Sequence, residues 1–574
     1  MLIDTRQVNE RQAVIAGVCI IGAGVAGITI ARELEKKGID TCLLESGGLE
    51  ADAATRDLCR GQALAFDYQF ADGCRTRFLG GSSNCWGGWC RPLDAWDFLK
   101  KSWVPHSGWP FGLDELTPFY QRTHALLELG PDNFDPAFWQ AAIGRADVRR
   151  IPFSSGRVRD TISQFSTPVR FGKRYRSELK AARHVRVFLH ANVTQIVPER
   201  DGNRIAHVRV QTLTGRRMTV SARLFVLATG GIENARLLLA SNDIESAGVG
   251  NRHGLVGRFF MDHPRFLSAS VQFAPGWSRN KLYDIKYNYM NSAVAAHGVH
   301  IASQFALTPA TLAQEQLLNA RLCFCSIFPG EGSAGAQALF RCKQALLKKE
   351  QPGFYWSREL QTMLREPINT LAYGFTRLCH PRSFIKDVGF QVIVEPAPDP
   401  ESRVSLSPDA RDALGMPRVQ VDWRLNDLVR RTADRTLQLV AEELRMNGVA
   451  EVRLAPKIEG GVWPASFEKE GTWHHMGTTR MHDSPKEGVV DRDCKVHGLA
   501  NLYVAGSSVF PTAGANFPTI TIAALALRLA EHLQRQFAGL GINLTEQEAS
   551  AMQEEGTQQD AISATLGTPG LPAF

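Results

Sequence analysis

Apolar and polar positions follow several different periods along this chain. Near the N-terminus, Val18–Ile21 is an unbroken apolar run, followed by Gly22-Ala23-Gly24-Val25-Ala26-Gly27. Ile28, Ala31 and Leu34 then recur on one helical face, Gly38 closes the helix, and Thr41–Leu44 forms a second apolar run ending at Glu45. Two short apolar runs around a glycine turn and a helix-period segment predict a βαβ unit with buried strands. Residues 1–15 lack such a period and read as a polar arm. Residues 113–128 follow a helical period, with Asp114 or a neighbour as the cap. Val185–Val197 and Ile205–Val226 alternate in period two, with turn signals at Asp201-Gly202 and Thr214-Gly215, and predict a meander. Ala222–Ala228 is a buried strand that runs through Thr229-Gly230-Gly231 into the helix IENARLLLAS. Leu502–Ala505 predicts a strand, and residues 518–534 a helix with Pro518 at its first position. The apolar centre of that helix is interrupted by Arg528 and Glu531 and is too short to cross a bilayer.

Residues 270–450 differ in texture, with more Phe, longer polar interruptions and no phosphate-type glycine loop. They read as a second domain inserted into the first. The expected fold is α/β: a Rossmann-like dinucleotide domain (1–115, 180–270, 456–540) carrying an inserted α+β domain, mainly antiparallel sheet (116–179, 271–455). The first domain resumes near Val462, and the polar residues 541–574 read as a loose tail. No internal repeat is visible.

Length supports this division, because 574 residues exceed what one compact core holds. Charge adds little: 65 basic against 58 acidic residues leave +7, with no Lys/Arg block to suggest nucleic acid. Eleven cysteines at irregular spacings, including Cys85/Cys90 and Cys323/Cys325, match no zinc pattern and read as reduced thiols, so no metal is expected. MLIDTRQVNERQ has neither a basic n-region nor an apolar h-region, which makes the cytoplasm the expected location.

Gly22, Gly24 and Gly27 form GxGxxG between a strand and a helix, with Val25 and Ala26 at the helix start. The first glycine allows the tight turn, the second the approach of a pyrophosphate, and the third close helix–strand packing. Glu45, eighteen residues after Gly27 at a strand end, is placed for a ribose hydroxyl, with Ser46 beside it. This pattern alone does not separate NAD from FAD. The second helix start, at Pro518-Thr519, favours a flavin, because its positive dipole end suits the pyrimidine edge of a reduced isoalloxazine.

Together with that fingerprint, RTRFLGGSSNCWGG (75–88), FVLATGGIENARLLLAS (225–241), HHMGTTRM (474–481) and NLYVAGSSVFPTAGANFPT (501–519) resemble the glucose–methanol–choline (GMC) flavoprotein oxidoreductases. VGRFFMDHP (256–264) resembles a segment of bacterial members, and Trp86 the pyranose-oxidase-like, sugar-oxidising branch. The resemblance implies FAD, held without a covalent bond, and oxidation of a primary or secondary alcohol, sugar or polyol. A histidine takes the hydroxyl proton while hydride passes to flavin N5. It places the base on His474. His475 is the alternative base, or else contacts a phosphate, a carbonyl or solvent. Asn516 is the expected second partner of the substrate oxygen, although Phe517 stands between it and Pro518 where the family reads Asn-Pro; a bulge could keep the amide in place, or Phe517 faces the flavin instead. Gly80, Gly81, Ser82, Ser83, Asn84, Cys85 and Trp86 are expected under the flavin, and Cys85 falls where some relatives attach it covalently. Val193 is expected at the adenine through its backbone, and Gly506, Ser507, Phe517, Pro518 and Thr519 at the flavin. Glu233 and Arg236 are expected to pair with each other or to brace the nucleotide loop. Arg480 is expected behind the His loop, Asp262-His263-Pro264 at the entrance or in a turn, and Trp86 and Trp89 at the flavin or the entrance. The substrate pocket is expected against the inserted domain. A dehydrogenase is favoured over an oxidase, and the electron acceptor, whether oxygen, a quinone or a redox protein, is left open. A flavin-containing lyase and an NAD-dependent dehydrogenase are the alternatives.

Overall fold

The computed structural model describes residues 1–65, 68, 74–277, 281–285, 294–346, 355–379, 385–454, 463, 466–467 and 471–539. The expected tail, 541–574, and the return near Val462 lie outside them.

An eight-stranded sheet carries the GxGxxG loop, in the order Leu2–Asp4, Val185–Leu189, Thr41–Leu44, Gln12–Ile21, Arg217–Leu227, Ile205–Gln211, Asn192–Pro198. The first four pairings are parallel and the last two antiparallel. Leu502–Val504 adds in parallel to the far half of Arg217–Leu227, where Phe225–Leu227 extend past the antiparallel neighbour. Two expectations are corrected here. The N-terminal residues are no arm: Leu2–Asp4 pairs with Val187–Leu189, and the following strand already begins at Gln12. Val185–Leu189 also leaves the meander, because it pairs with Thr41–Leu44 rather than with its successor. Both pairings are long-range, so local alternation did not reveal them.

The first helix, Val25–Glu35, buries Ile28, Ala31 and Leu34 and packs against the helix Thr519–Gly539. Burying each such Ile or Leu is worth about 1.5–3 kcal/mol. Leu113–Leu127 packs on the same C-terminal helix, where Tyr120 Oη lies 2.9 Å from Thr521 Oγ1. Its cap is Gly112, without a side-chain bond, rather than Asp114. Pro518 precedes the C-terminal helix by one residue, and its carbonyl accepts from the Ile522 N–H at 2.8 Å.

The second sheet has seven strands and is antiparallel throughout: Arg265–Ser268, Asp387–Val394, Ala320–Ile327, Val299–Leu307, Val158–Phe165 and Trp89–Cys90, with Ala295–Ala296 beside Val299–Leu307. The helix Asp427–Met446 covers it. Trp89–Cys90 and Arg265–Ser268, which the sequence division gives to the dinucleotide domain, are its edge strands, so the chain crosses between sheets more often than that division has it. Three helices, Ala334–Leu346, Trp356–Arg365 and Pro367–Cys379, form a further layer in which the first packs on the other two. Among the described residues, no helix is long and apolar enough to cross a membrane.

Candidate active site

A cavity of about 680 Å³ opens at the C-terminal ends of the central parallel strands and reaches the second sheet. Every residue singled out above for cofactor or catalysis lines it except Gly27, Gly80, Asn84 and Asn516. Gly27 works behind the wall: a Cβ there would stand 1.9 Å from the Gly22 carbonyl oxygen. Gly80 and Asn84 are also behind it, bonding the Ala23 and Leu79 carbonyls at 2.8 and 3.0 Å.

The glycines on the cavity side behave differently. A Cβ on Gly24 would meet nothing nearer than Gly81 Cα at 4.0 Å, and one on Gly230 or Gly506 would meet nothing within 4 Å. Their missing side chains therefore leave room for a bound molecule, not for protein. Glu45 lies beside that room, with its carboxylate accepting from the Ala23 and Gly47 N–H groups at 3.1 and 2.9 Å. Burial raises the pKa of Glu45, against the Gly47 and Ala23 hydrogen bonds that lower it. Opposite stands Glu233, gripped by Arg75 and by Arg77 at 2.5 Å. Burial alone would raise Glu233, but Arg77, Arg236 and Arg75 outweigh it and bring it down to about 2. Arg236 bonds Asp412 at 2.7 Å and Glu233 at 3.4 Å, so the expected pair is one edge of a larger network.

The His loop is clamped on two sides. Met476 and Met261 exchange backbone hydrogen bonds of 2.9 and 3.0 Å, and Thr479 and Met481 donate to the Ser508 and Val509 carbonyls. Its flanking glycines permit this closeness: a Cβ on Gly471 would stand 2.3 Å from Asp262 Oδ2, and one on Gly477 2.1 Å from the Phe259 carbonyl oxygen. Asp262, fully buried, accepts from the backbone N–H groups of Thr472, Trp473 and His474 and from the hydroxyls of Thr472 and Tyr68. Burial nevertheless raises its pKa to about 6.

The two adjacent histidines point apart. His475 is buried, with Nε2 2.9 Å from Tyr68 Oη. Tyr68 gives its proton to Asp262, so its oxygen accepts from His475. Burial, with Arg75 nearby, lowers the pKa of His475 to about 3. His474 turns toward the cavity beside Phe517, with ring centroids 4.7 Å apart. Its Nδ1 lies 3.0 Å from His263 Nδ1 and 2.9 Å from Thr472 Oγ1.

These partners fix the tautomer. His263 Nε2 sits 2.9 Å from the Gly514 carbonyl, which only accepts, so Nε2 carries the proton. Burial holds His263 near a pKa of 4, hence neutral at pH 7, and its Nδ1 is left as an acceptor. Thr472 gives its hydroxyl proton to Asp262 and likewise accepts. Both require N–H at Nδ1 of His474, which leaves its Nε2 as a lone pair. Burial, then His263, push the His474 pKa well below its usual range, so the ring is neutral at pH 7.

Asn516 is not brought to this point. Its amide nitrogen donates to the Pro92 carbonyl at 2.7 Å, and its oxygen accepts from Arg321 Nε at 3.2 Å. The chain bends at Ala515 and Asn516, and Phe517, the residue inserted before Pro518, is the one that faces His474. The sequence reading missed His263 as the partner of His474, and Tyr68 and Arg265 altogether. His263 carries a signal only in retrospect, as a histidine beside an acid in MDHP. Arg480 does lie behind the loop, bonding the His106 carbonyl at 2.7 Å and stacking on Phe259.

Two family models match the segments that build this cavity. One, described as FAD dependent oxidoreductase, covers residues 17–246; the other, GMC oxidoreductase, covers residues 398–526. The chain belongs to the GMC oxidoreductase family. It is an FAD-dependent oxidoreductase, and the segment Gly22–Gly27 lies within the residues matched by the FAD model. Among relatives of this GMC protein, the fructose dehydrogenase large subunit of Gluconobacter japonicus is 24% identical over 90% of this chain and 97% of its own length. Paromamine 6'-oxidase of Streptomyces fradiae is 26% identical, covering 90% of each chain. Pyridoxine 4-oxidase from Mesorbium loti shares the fold at a TM-score of 0.54 and 18% identity, covering 91% of this chain and 99% of its own.

Proposed function

We propose that this GMC oxidoreductase oxidises a primary or secondary alcohol of the sugar or polyol class, with His474 Nε2 as the proton acceptor. The carrying observation is the pair of acceptors, His263 Nδ1 and Thr472 Oγ1, on the far nitrogen of His474. They leave Nε2 as the only lone pair of that ring. Bound FAD supplies the two-electron acceptor. The N-terminus of Val25–Glu35, with Gly24, would hold its pyrophosphate, Glu45 its ribose, and Gly81–Ser83 with the start of Thr519–Gly539 its ring system. The substrate hydroxyl proton passes to His474 Nε2, and the neutral ring is ready to take it at pH 7. Asp262 holds the loop backbone so that the ring stays in place. Trp89, Phe517, Ile285, Arg265 and Gln391 line the cavity around this end and offer both apolar faces and hydrogen-bonding groups. That mixture suits a carbohydrate. We assign the protein to the dehydrogenases and the flavin to non-covalent binding.

The test is anaerobic mixing with a panel of sugars, polyols and simple alcohols. A substrate bleaches the flavin absorbance before any acceptor is added, and oxygen then restores it slowly. Turnover with the flavin still oxidised would replace this reading by a lyase.

The pH dependence follows from the same groups. Because the His474 pKa is depressed, the base form is present throughout the neutral range and produces no limb there. Asp262 gains a proton as pH falls through about 6 and loses part of its capacity to hold Thr472 and the loop. Flavin reduction is therefore flat above neutrality and falls below about pH 6. Asp262→Asn gives a lower rate without that acid limb; an unshifted limb in the variant would point to another group.

A further inference from the structure

The three-helix layer turns apolar stripes outward. Nine of the seventeen exposed large apolar side chains among the described residues fall between Phe340 and Phe375. On Trp356–Arg365 they are Trp356, Leu360 and Leu364, spaced by four; on Pro367–Cys379 they are Ile368, Leu371 and Phe375, spaced by three and four. Each set lies on one face of its helix. Leu364, Ile368 and Leu371 are 78%, 81% and 73% exposed. Exposure of large apolar side chains concentrated on two neighbouring helices marks a surface that meets something other than water.

Charge identifies the occupant. Residues 334–386 hold nine Lys and Arg against three acidic residues, a net +6 in a chain whose total is +7. The acids are further withdrawn: Glu359 is buried and paired with Arg341 at 2.5 Å, and Glu366 accepts from the Gly335 N–H. Lys343, Arg358 and Arg365 are exposed. Helices with apolar and aromatic stripes flanked by cations lie in the plane of an anionic membrane surface, with the cations at the phosphates.

We propose that the outward face of residues 356–375 docks on an anionic phospholipid surface, peripherally and without crossing it. This stands apart from the reaction assigned above, and neither depends on the other. The test is flotation of the full-length, FAD-loaded protein with vesicles of phosphatidylcholine alone or with added phosphatidylglycerol. The protein floats with the anionic vesicles and less at high salt. Leu364→Glu, Ile368→Glu and Leu371→Glu together weaken flotation by roughly tenfold or more, with the flavin spectrum unchanged as the control for folding. Arg358→Gln with Arg365→Gln keeps the stripes and loses the preference for phosphatidylglycerol. No flotation with either vesicle, or undiminished flotation of the triple variant, overturns the proposal. So does a lipid-free dimer that the triple variant turns into a monomer, which would assign the face to a second copy of the chain.

Discussion

Replacing His474 by alanine lowers the rate of flavin reduction by about 10²–10⁴-fold, the range for losing a positioned general base, while FAD remains bound. The local fold tolerates the change. The loop backbone is held independently of this ring, by Asp262 and by the Met261–Met476 pair. Removing the imidazole opens space on the cavity side and leaves Thr472 and His263 without one shared donor. Anaerobic stopped-flow reduction measures the effect directly. A rate near that of the unaltered protein would remove His474 from the chemistry and move the base to His475. The geometry speaks against His475, since its Nε2 is committed to Tyr68 in the interior.

Gly24→Val abolishes FAD binding without unfolding the chain. Gly24 has φ −85° and ψ −164°, an extended conformation open to any residue. An added Cβ meets nothing nearer than Gly81 Cα at 4.0 Å, so the side chain starts in the open space where the pyrophosphate would approach the helix start. The readout is the flavin released into the supernatant by acid, beside the far-ultraviolet circular dichroism of the same sample. The unaltered protein gives up its colour and the variant has none to give. Colour that stays in the pellet of the unaltered protein would make Cys85, on the cavity wall, the attachment point. Full flavin in the variant would place the pyrophosphate elsewhere.

What could be read from the sequence was what is local. The βαβ unit shows itself in consecutive residues, since run, glycine turn, helical face and run all fall between Val18 and Glu45. The antiparallel hairpins between Asn192 and Leu227 were visible for the same reason. Pairings across long separations were not, as Leu2–Asp4 beside Val187–Leu189 illustrates. The site divides in the same way. His474 stands in a recognisable loop, but its partner His263 lies 211 residues away, and nothing in either segment announces the contact. Asn516 misled because its neighbours match the family while Phe517 shifts the register by one. A motif fixes residue order; which side chain reaches the cavity depends on where the backbone bends, here at Ala515 and Asn516.

The place of Leu502–Val504 in the large sheet has a consequence for biosynthesis. That strand fills a half-edge left open by Ile205–Gln211, and only the residues after it bring Gly506, Phe517 and Thr519 to the cavity. A growing chain can lay down Val18–Glu45 early, yet the cavity wall that Gly506, Phe517 and Thr519 supply is made only near the end of synthesis, so the site is completed last.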